Sequence, residues 1–286
     1  MPNRIPLTTP PLTTPPLAPW RAPLLIKASV ACHLGAGLAL APAPSLWPWA
    51  LGAIALNQAV LTAAGLLPRC AWLGENIRRL PAAAAARGEV ALSFDDGPDP
   101  QVTPRVLDLL DAAGARATFF CIAQRARAHP QLCRDIVQRG HSVQNHSDQH
   151  GLGFALSGLR GFRREIEAAQ HSLADITGQA PQFFRAPAGL RNPLLTPVLA
   201  ELNLRLVSWT RRGFDTVRRK PQPVLERLSH KLAAGDILVL HDGNSARSNS
   251  GAPIVLETTA SLLALTTLHA LRCVSLPSAF STEPVA

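Results

Sequence analysis

The chain has 286 residues, 47% of them hydrophobic and only 16% charged, which excludes disorder throughout and allows one large domain or two small ones. Five cysteines are too few, and odd in number, for a disulfide scaffold. The net charge of +9 suggests a nucleic-acid partner until it is located. Residues 1–88 carry seven basic side chains against one acid, Glu75, so much of the excess flanks an apolar region. That is a membrane pattern, and no nucleic-acid motif accompanies it.

Residues 1–22 are expected to be a disordered Pro-rich leader, because Pro6 to Pro10 (PLTTP) recurs at once as Pro11 to Pro15. Two apolar runs follow, Leu24 to Ala41 and Trp47 to Leu67, joined by the turn Pro42 to Ser45. Their lengths predict a transmembrane helical hairpin over 23–67, with Lys27 snorkelling and Trp47 and Trp49 at an interface. A pair of buried soluble helices is the competing reading. Arg4, Arg21 and Lys27 precede the hairpin and Arg69, Arg78 and Arg79 follow it. Positive-inside logic therefore puts both ends in the cytoplasm of a bacterial inner membrane; a single span over the second run would make the body periplasmic. His33 and Asn57, near the middle of their runs, are expected either to hydrogen-bond to each other across the hairpin or to leave His33 facing lipid headgroups or a small water defect.

Residues 68–88 read as an Ala/Arg linker. From Glu89 on, short apolar runs alternate with amphipathic stretches. Strands are predicted near 89–94, 117–122, 141–145, 182–185, 204–209, 237–241 and 271–275. Helices fit from Thr103-Pro104, an N-cap and first-turn proline, and near 131–139, 159–177, 193–202, 222–233 and 254–268. The alternation argues for a parallel α/β fold, and periodicity alone does not choose between barrel and open sheet. The cysteines read as small buried hydrophobes.

Polar residues sit where these strands end: Asp95 and Asp96, then His146, Arg185, Trp209 and His241. In parallel α/β folds those C-terminal ends share one face, so distant residues converge there. His146 and His150 stand four apart, and on a helical turn would chelate one divalent ion, although two surface histidines would look the same. Asp95-Asp96 ahead of Gly97-Pro98 is stronger, because a turn needs one aspartate and a second needs a cation. A His/His/Asp set leaves positions open for water and substrate.

In this order, Ser93 to Pro98 (SFDDGP), Asn145 to His150 (NHSDQH), Phe184 to Pro187 (FRAP), Trp209 with Asp215, and Leu238 to Asp242 (LVLHD) resemble the NodB-type polysaccharide deacetylases, carbohydrate esterase family four. The resemblance spans about residues 89–276. It implies a distorted (β/α) barrel over 89–281 and a hydrolase that removes an acyl group, in the first instance acetyl, from an N-acylated sugar. Carried over by position, it makes Asp96, His146 and His150 ligands of a divalent metal, zinc or alternatively cobalt. Asp95 becomes the general base, Arg185 its partner, His241 the general acid and Asp215 the carboxylate that orients that histidine. Trp209, Val239, Leu240, Pro187 and Ala188 would form the acyl pocket. The chemistry is coherent: a carboxylate base works ionised, which a guanidinium favours, and a histidine can donate near neutral pH.

The chain departs from the family at Ala188, where an aromatic residue is usual, and at Thr216, where tryptophan is common. Arg211, Arg212, Arg218, Arg219 and Lys220 crowd this region, either as a solvated basic loop or as a contact for a phosphate. The expected partners are a carbohydrate or a lipid-linked sugar at the inner membrane, with no nucleic acid. The alternatives are an O-deacetylase or deformylase on the same scaffold, and an inactive membrane-tethered carbohydrate-binding protein.

Overall fold

In the computed structural model, which describes residues 19–281, the expected strands join one further strand in a single sheet. Most of the Pro-rich leader, Arg4 included, lies outside the described residues. The strands are β1 (Glu89–Asp95), β2 (Thr118–Cys121), β3 (Ser142–Asn145), β4 (Phe183–Phe184), β5 (Arg205–Leu206), β6 (Arg211–Arg212), β7 (Ile237–His241) and β8 (Arg272–Val274). They run in the order β5-β4-β3-β2-β1-β7-β6, every pairing parallel, with β8 on the first half of β1. This is a distorted half-barrel of parallel strands, as the resemblance implies. The strand missing from the sequence reading, β6, consists of two arginines and offers no apolar signal.

Alternation along the strands sorts side chains between two layers. Val90, Leu92 and Phe94 of β1, with Leu238 and Leu240 of β7, form the main core. They pack there with α4 (Thr103–Ala112), α9 (Pro221–Ser229) and α10 (Ile254–Leu268). The intervening Ser93 and Asp95 are also buried and belong to the other face, where polar groups collect. Helices α5 (Ala123–Ala128), α6 (Pro130–Gln138), α7 (Leu159–Thr177) and α8 (Leu195–Glu201) follow β2, β3 and β4 in turn. A short α11 (Leu276–Phe280) closes the described chain. All five cysteines are free; Cys121, Cys133 and Cys273 are buried, in keeping with a packing role, whereas Cys32 and Cys70 are only half-buried.

The 68–88 segment does not hang free as a linker. Ile77 bridges to Val207 beside β5, and Arg79 bridges to Asp236 ahead of β7, so this stretch links the β5 edge to the start of β7 across the opening of the half-barrel. Ile77, Leu80 and Ala84 are buried with Phe120, Phe183 and Ile237, and Ala84 lies in α3 (Ala82–Ala86). An open sheet edge has unpaired backbone groups, and the segment satisfies some of them. Ile77 N–H donates to the Leu206 carbonyl, and Ser208 N–H to the Ile77 carbonyl.

The two apolar runs form α1 (Leu24–Leu40) and α2 (Trp47–Leu66), packed against each other. Among the described residues one helix, Pro44–Leu66, is long and apolar enough to cross a membrane. At 17 residues, α1 is at the short limit for a span, because it rises about 1.5 Å per residue. The structure thus supports one apolar anchor-like helix more firmly than a full hairpin. Both helices expose large apolar side chains, Leu24 at 81% and Trp49 at 80% among them, which a pair of buried soluble helices would not do. The expected bond between His33 and Asn57 is replaced by two offset contacts. Asn57 Nδ2 donates to Ser29 Oγ at 2.9 Å, and Gln58 Nε2 lies 3.5 Å from His33 Nε2. At its far end α2 is tied to the body, where the Gly65 carbonyl accepts from Arg191 N–H at 3.2 Å.

Candidate active site

The register of the central strands assembles the site. Asp95 ends β1 opposite His241, which ends β7. Arg185 follows β4, whose partner Asn145 ends β3 just ahead of His146. Chain crossover at the C-terminal ends thus gathers residues from across the sequence on one face.

Asp96 Oδ1 lies 3.2 Å from Nε2 of both His146 and His150, and the three donor atoms fall within 4.8 Å of one another. His146 Nδ1 is 2.8 Å from the Arg185 carbonyl, which can only accept, so the proton sits on Nδ1 and the Nε2 lone pair faces the cluster. Asn244 Nδ2 donates to the other oxygen of Asp96 at 3.0 Å, which leaves Oδ1 for the centre. Burial alone would raise the Asp96 carboxyl, but His146, His241 and His150 together hold it below the ordinary carboxylate range. One carboxylate oxygen and two imidazole nitrogens, with Asp96 and His146 held from behind by an amide and a carbonyl, fit a divalent cation. The two histidines do not share a helical turn as expected. They sit in a loop in which Ser147 and His150 adopt φ of 66° and 55°, and the loop's reversal brings their rings to 4.9 Å. Asp96 itself has φ of 70°, and such unfavourable backbone is typical of constrained sites.

On one side of this cluster Asp95 Oδ1 accepts from Arg185 Nη1 at 2.6 Å. Arg185 is 1% exposed and also donates to Ser93 Oγ and the Ser208 carbonyl, with its guanidinium carbon 4.0 Å from the centre of the Phe120 ring. Burial lowers the pKa of this guanidinium, and Asp95 opposes the shift. On another side His241 Nδ1 is 2.8 Å from Asp215 Oδ1, while Asp215 Oδ2 accepts the His241 backbone N–H at 2.7 Å. Burial would lower the His241 pKa, but the Asp215 carboxylate, helped by Asp95 and Asp96, outweighs it and the net shift is upward.

These groups open onto a cavity of about 210 Å³ lined by Asp95, Asp96, His146, His150 and His241, with Trp209, Ala188, Gly189, Arg212, Thr216 and Asn244 completing its wall. Of the expected acyl-pocket residues, Trp209 and Ala188 stand in this wall. Leu240 does not, because period-2 alternation turns it into the main core beside Leu238. Val239 and Pro187 are buried next to the site without lining the cavity.

Four contributors were missed in the sequence. Asn244, three residues past His241, buttresses Asp96, and Arg125 Nη1 donates to the Asp96 carbonyl at 2.8 Å while its Nη2 meets Asn244. Asp242, 1% exposed, accepts from Thr103 Oγ1 at 2.5 Å; burial, with Asp96 nearby, pushes its carboxyl up to about 7 despite that bond. Ser93, on the expected first strand, holds Arg185. Only Ser93 and Asp242 lay inside motifs that could have pointed to them. Of the basic cluster, Arg211 is structural: its Nε meets Asp236 Oδ2 at 2.6 Å, and the same carboxylate takes Arg79.

A family model for polysaccharide deacetylases matches residues 83–207. The chain is 31% identical over 173 residues to a peptidoglycan-N-acetylglucosamine deacetylase of Bacillus cereus, covering 58% of this chain and 78% of that protein. It is 32% identical over 168 residues to a chitooligosaccharide deacetylase of Sinorhizobium fredii, again 58% of this chain and 78% of that one. A solved peptidoglycan N-acetylglucosamine deacetylase superposes with a TM-score of 0.65 at 25% identity, covering 73% of this chain and 94% of that chain. With sequence, fold and relatives in agreement, the chain belongs to the polysaccharide deacetylase family, hydrolases of carbon–nitrogen bonds other than peptide bonds.

Proposed function

We propose that the protein is a membrane-anchored, divalent-metal-dependent deacetylase that removes the acetyl group from an N-acylated sugar of a polysaccharide or lipid-linked glycan precursor. The observation that carries this reading is one cavity holding a ligand set (Asp96, His146, His150), a carboxylate paired with arginine (Asp95) and a histidine paired with aspartate (His241). A carbohydrate-binding module needs no such base and acid. The names of the relatives, which concern peptidoglycan and chitooligosaccharide, support an N-acetylated sugar as substrate.

Asp96, His146 and His150 would hold the metal, with zinc proposed and cobalt as the alternative. When bound, the metal supplies a Lewis acid that polarises the acyl carbonyl and acidifies water. Asp95 takes the proton of the attacking water. Its Oδ1 is occupied by Arg185, so Oδ2 is the accepting atom. His241 delivers a proton from Nε2 to the departing amine nitrogen, because Asp215 holds the proton on Nδ1. Trp209 and Ala188 bound the space for the acetyl group, and Ala188 offers no aromatic wall there.

Apolar surface on both α1 and α2 supports insertion of the 23–67 segment in the bacterial inner membrane. The basic residues on either side support a cytoplasmic body, and a C-terminal alkaline phosphatase fusion that is active would overturn that orientation. The enzymatic test strips purified full-length protein of metal, restores Zn²⁺ or Co²⁺, and measures acetate release from N-acetylated oligosaccharides and lipid-linked amino sugars. Release that returns with metal, and is lost in Asp95→Asn and His146→Ala, is expected. Release indifferent to metal or to both substitutions would refute the reading.

A further inference from the structure

Beside the hydrolytic cleft lies a larger cavity, about 840 Å³, whose wall includes Arg69, Trp209, Arg212, Phe214, Arg227 and His230. Trp209 and Arg212 also line the hydrolytic cleft, so the two spaces adjoin. The arginines here differ from the solvated run at 218–220. Arg212 and Arg227 both stack on Phe214, their guanidinium carbons 5.2 and 4.8 Å from its ring centre, and Arg212 also lies over Trp209 at 5.1 Å. Stacking orients a guanidinium while leaving its N–H donors free. Among the described residues no carboxylate forms an ion pair with Arg69, Arg212 or Arg227, and Arg212 Nε is buried without a hydrogen-bond partner. Arg211, in the same wall, is already neutralised by Asp236. The one carboxylate in the wall, Glu226, accepts from Gln222. Arg69 is held differently, its Nη1 donating to the Thr210 carbonyl at 2.8 Å. Two stacked guanidinium groups and the remaining donors of Arg69, none in an ion pair, suit a phosphate ester.

We infer that this cavity is a phosphate-binding subsite of the deacetylase, and that the substrate is an N-acylated amino sugar carrying a phosphate or diphosphate ester. The inference rests on the deacetylase reading for the sugar and on the arginines for the phosphate. Position favours a lipid-borne ester. Arg69 stands three residues beyond the end of α2, and a Cβ on Gly189 in the hydrolytic cleft would meet Pro68 at 2.6 Å and Trp209 at 2.7 Å. The apolar helix therefore delivers its end to the junction of the two cavities, so a sugar phosphate borne on a lipid around that helix would meet these arginines. A soluble nucleotide sugar presents the same chemistry, and the assay separates the two.

The test uses full-length, metal-loaded protein in detergent micelles and titration calorimetry. N-acetylglucosamine 1-phosphate is expected to bind at least about tenfold more tightly than N-acetylglucosamine, with the gap narrowing as salt is added. Arg69→Gln combined with Arg227→Gln is expected to close most of that gap. Equal affinities in the parent protein would overturn the inference. So would a gap that survives the double substitution, because the phosphate would then sit on the metal. Acetate release then identifies the source: faster turnover of a polyprenyl-diphosphate-linked sugar assigns a lipid carrier, and faster turnover of a uridine-diphosphate sugar a soluble one. Turnover of neutral oligosaccharides alone would leave the deacetylase intact and sink the phosphate subsite. Arginine-dependent binding of the sugar phosphate without any turnover would do the reverse.

Discussion

Asp215→Asn removes a negative charge from a fully buried position and preserves the size of the side chain. Asp215 makes two bonds to His241, 2.8 Å to Nδ1 and 2.7 Å to the backbone N–H, so an amide can satisfy one as acceptor but meets the other with a mismatched group. Burial is the largest influence on His241 and acts downward, and Asp215 is the largest influence acting upward. Loss of one charge-assisted hydrogen bond costs about 1.5–3 kcal/mol, equivalent to roughly 1–2 pH units. The sign follows from the role. A general acid works protonated, so activity falls as pH rises through its pKa, and lowering that pKa moves the basic limb to lower pH. Initial rates of acetate release by the two metal-loaded enzymes should therefore show the variant's basic limb displaced downward. On the parent's basic side its rate should be about 10- to 100-fold lower. The metal is common to both enzymes and cancels in the difference. A uniform loss at every pH, with the limb unmoved, would refute the reasoning and reduce Asp215 to a clamp on the His241 backbone.

Arg185→Met leaves Asp95 buried at 4% exposure without its cation, and urea denaturation should show a loss of about 3–5 kcal/mol. Restoring zinc to chelator-treated protein should raise Tm, by the equivalent of about 4 kcal/mol when free metal is a thousandfold above Kd, and His146→Ala should abolish the rise. A chain shortened to 68–281 should fold, whereas one shortened to 89–281 should lose cooperative thermal unfolding, because it lacks the buried Ile77, Leu80 and Ala84. Equal Tm for the two would show that the 76–80 bridge is dispensable.

Local residue order is enough to give the class of fold, most of the strands and the identities of the chemical groups. Apolar runs interrupted at their C-terminal ends by Asp95, Asp96, His146, Arg185 and His241 are a local property of the chain, and strand alternation turns that property into convergence on one face. What the chain order could not supply is register and loop geometry. His146 and His150 meet Asp96 through residues of positive φ and not through a helical turn, and no spacing rule encodes that reversal. Leu240 looked like a pocket residue beside His241, yet alternation that puts His241 inward necessarily puts Leu240 in the core. Asn244 and Arg125 buttress Asp96 from segments 119 residues apart, and Ile77 closes a sheet opening more than a hundred residues away in sequence. The basic cluster shows the same division. Composition counted its charges, but only packing separated Arg211, paired with Asp236, from Arg212, held on Phe214 beside Arg227. Local pattern decides which way a side chain faces, and long-range packing decides what it meets.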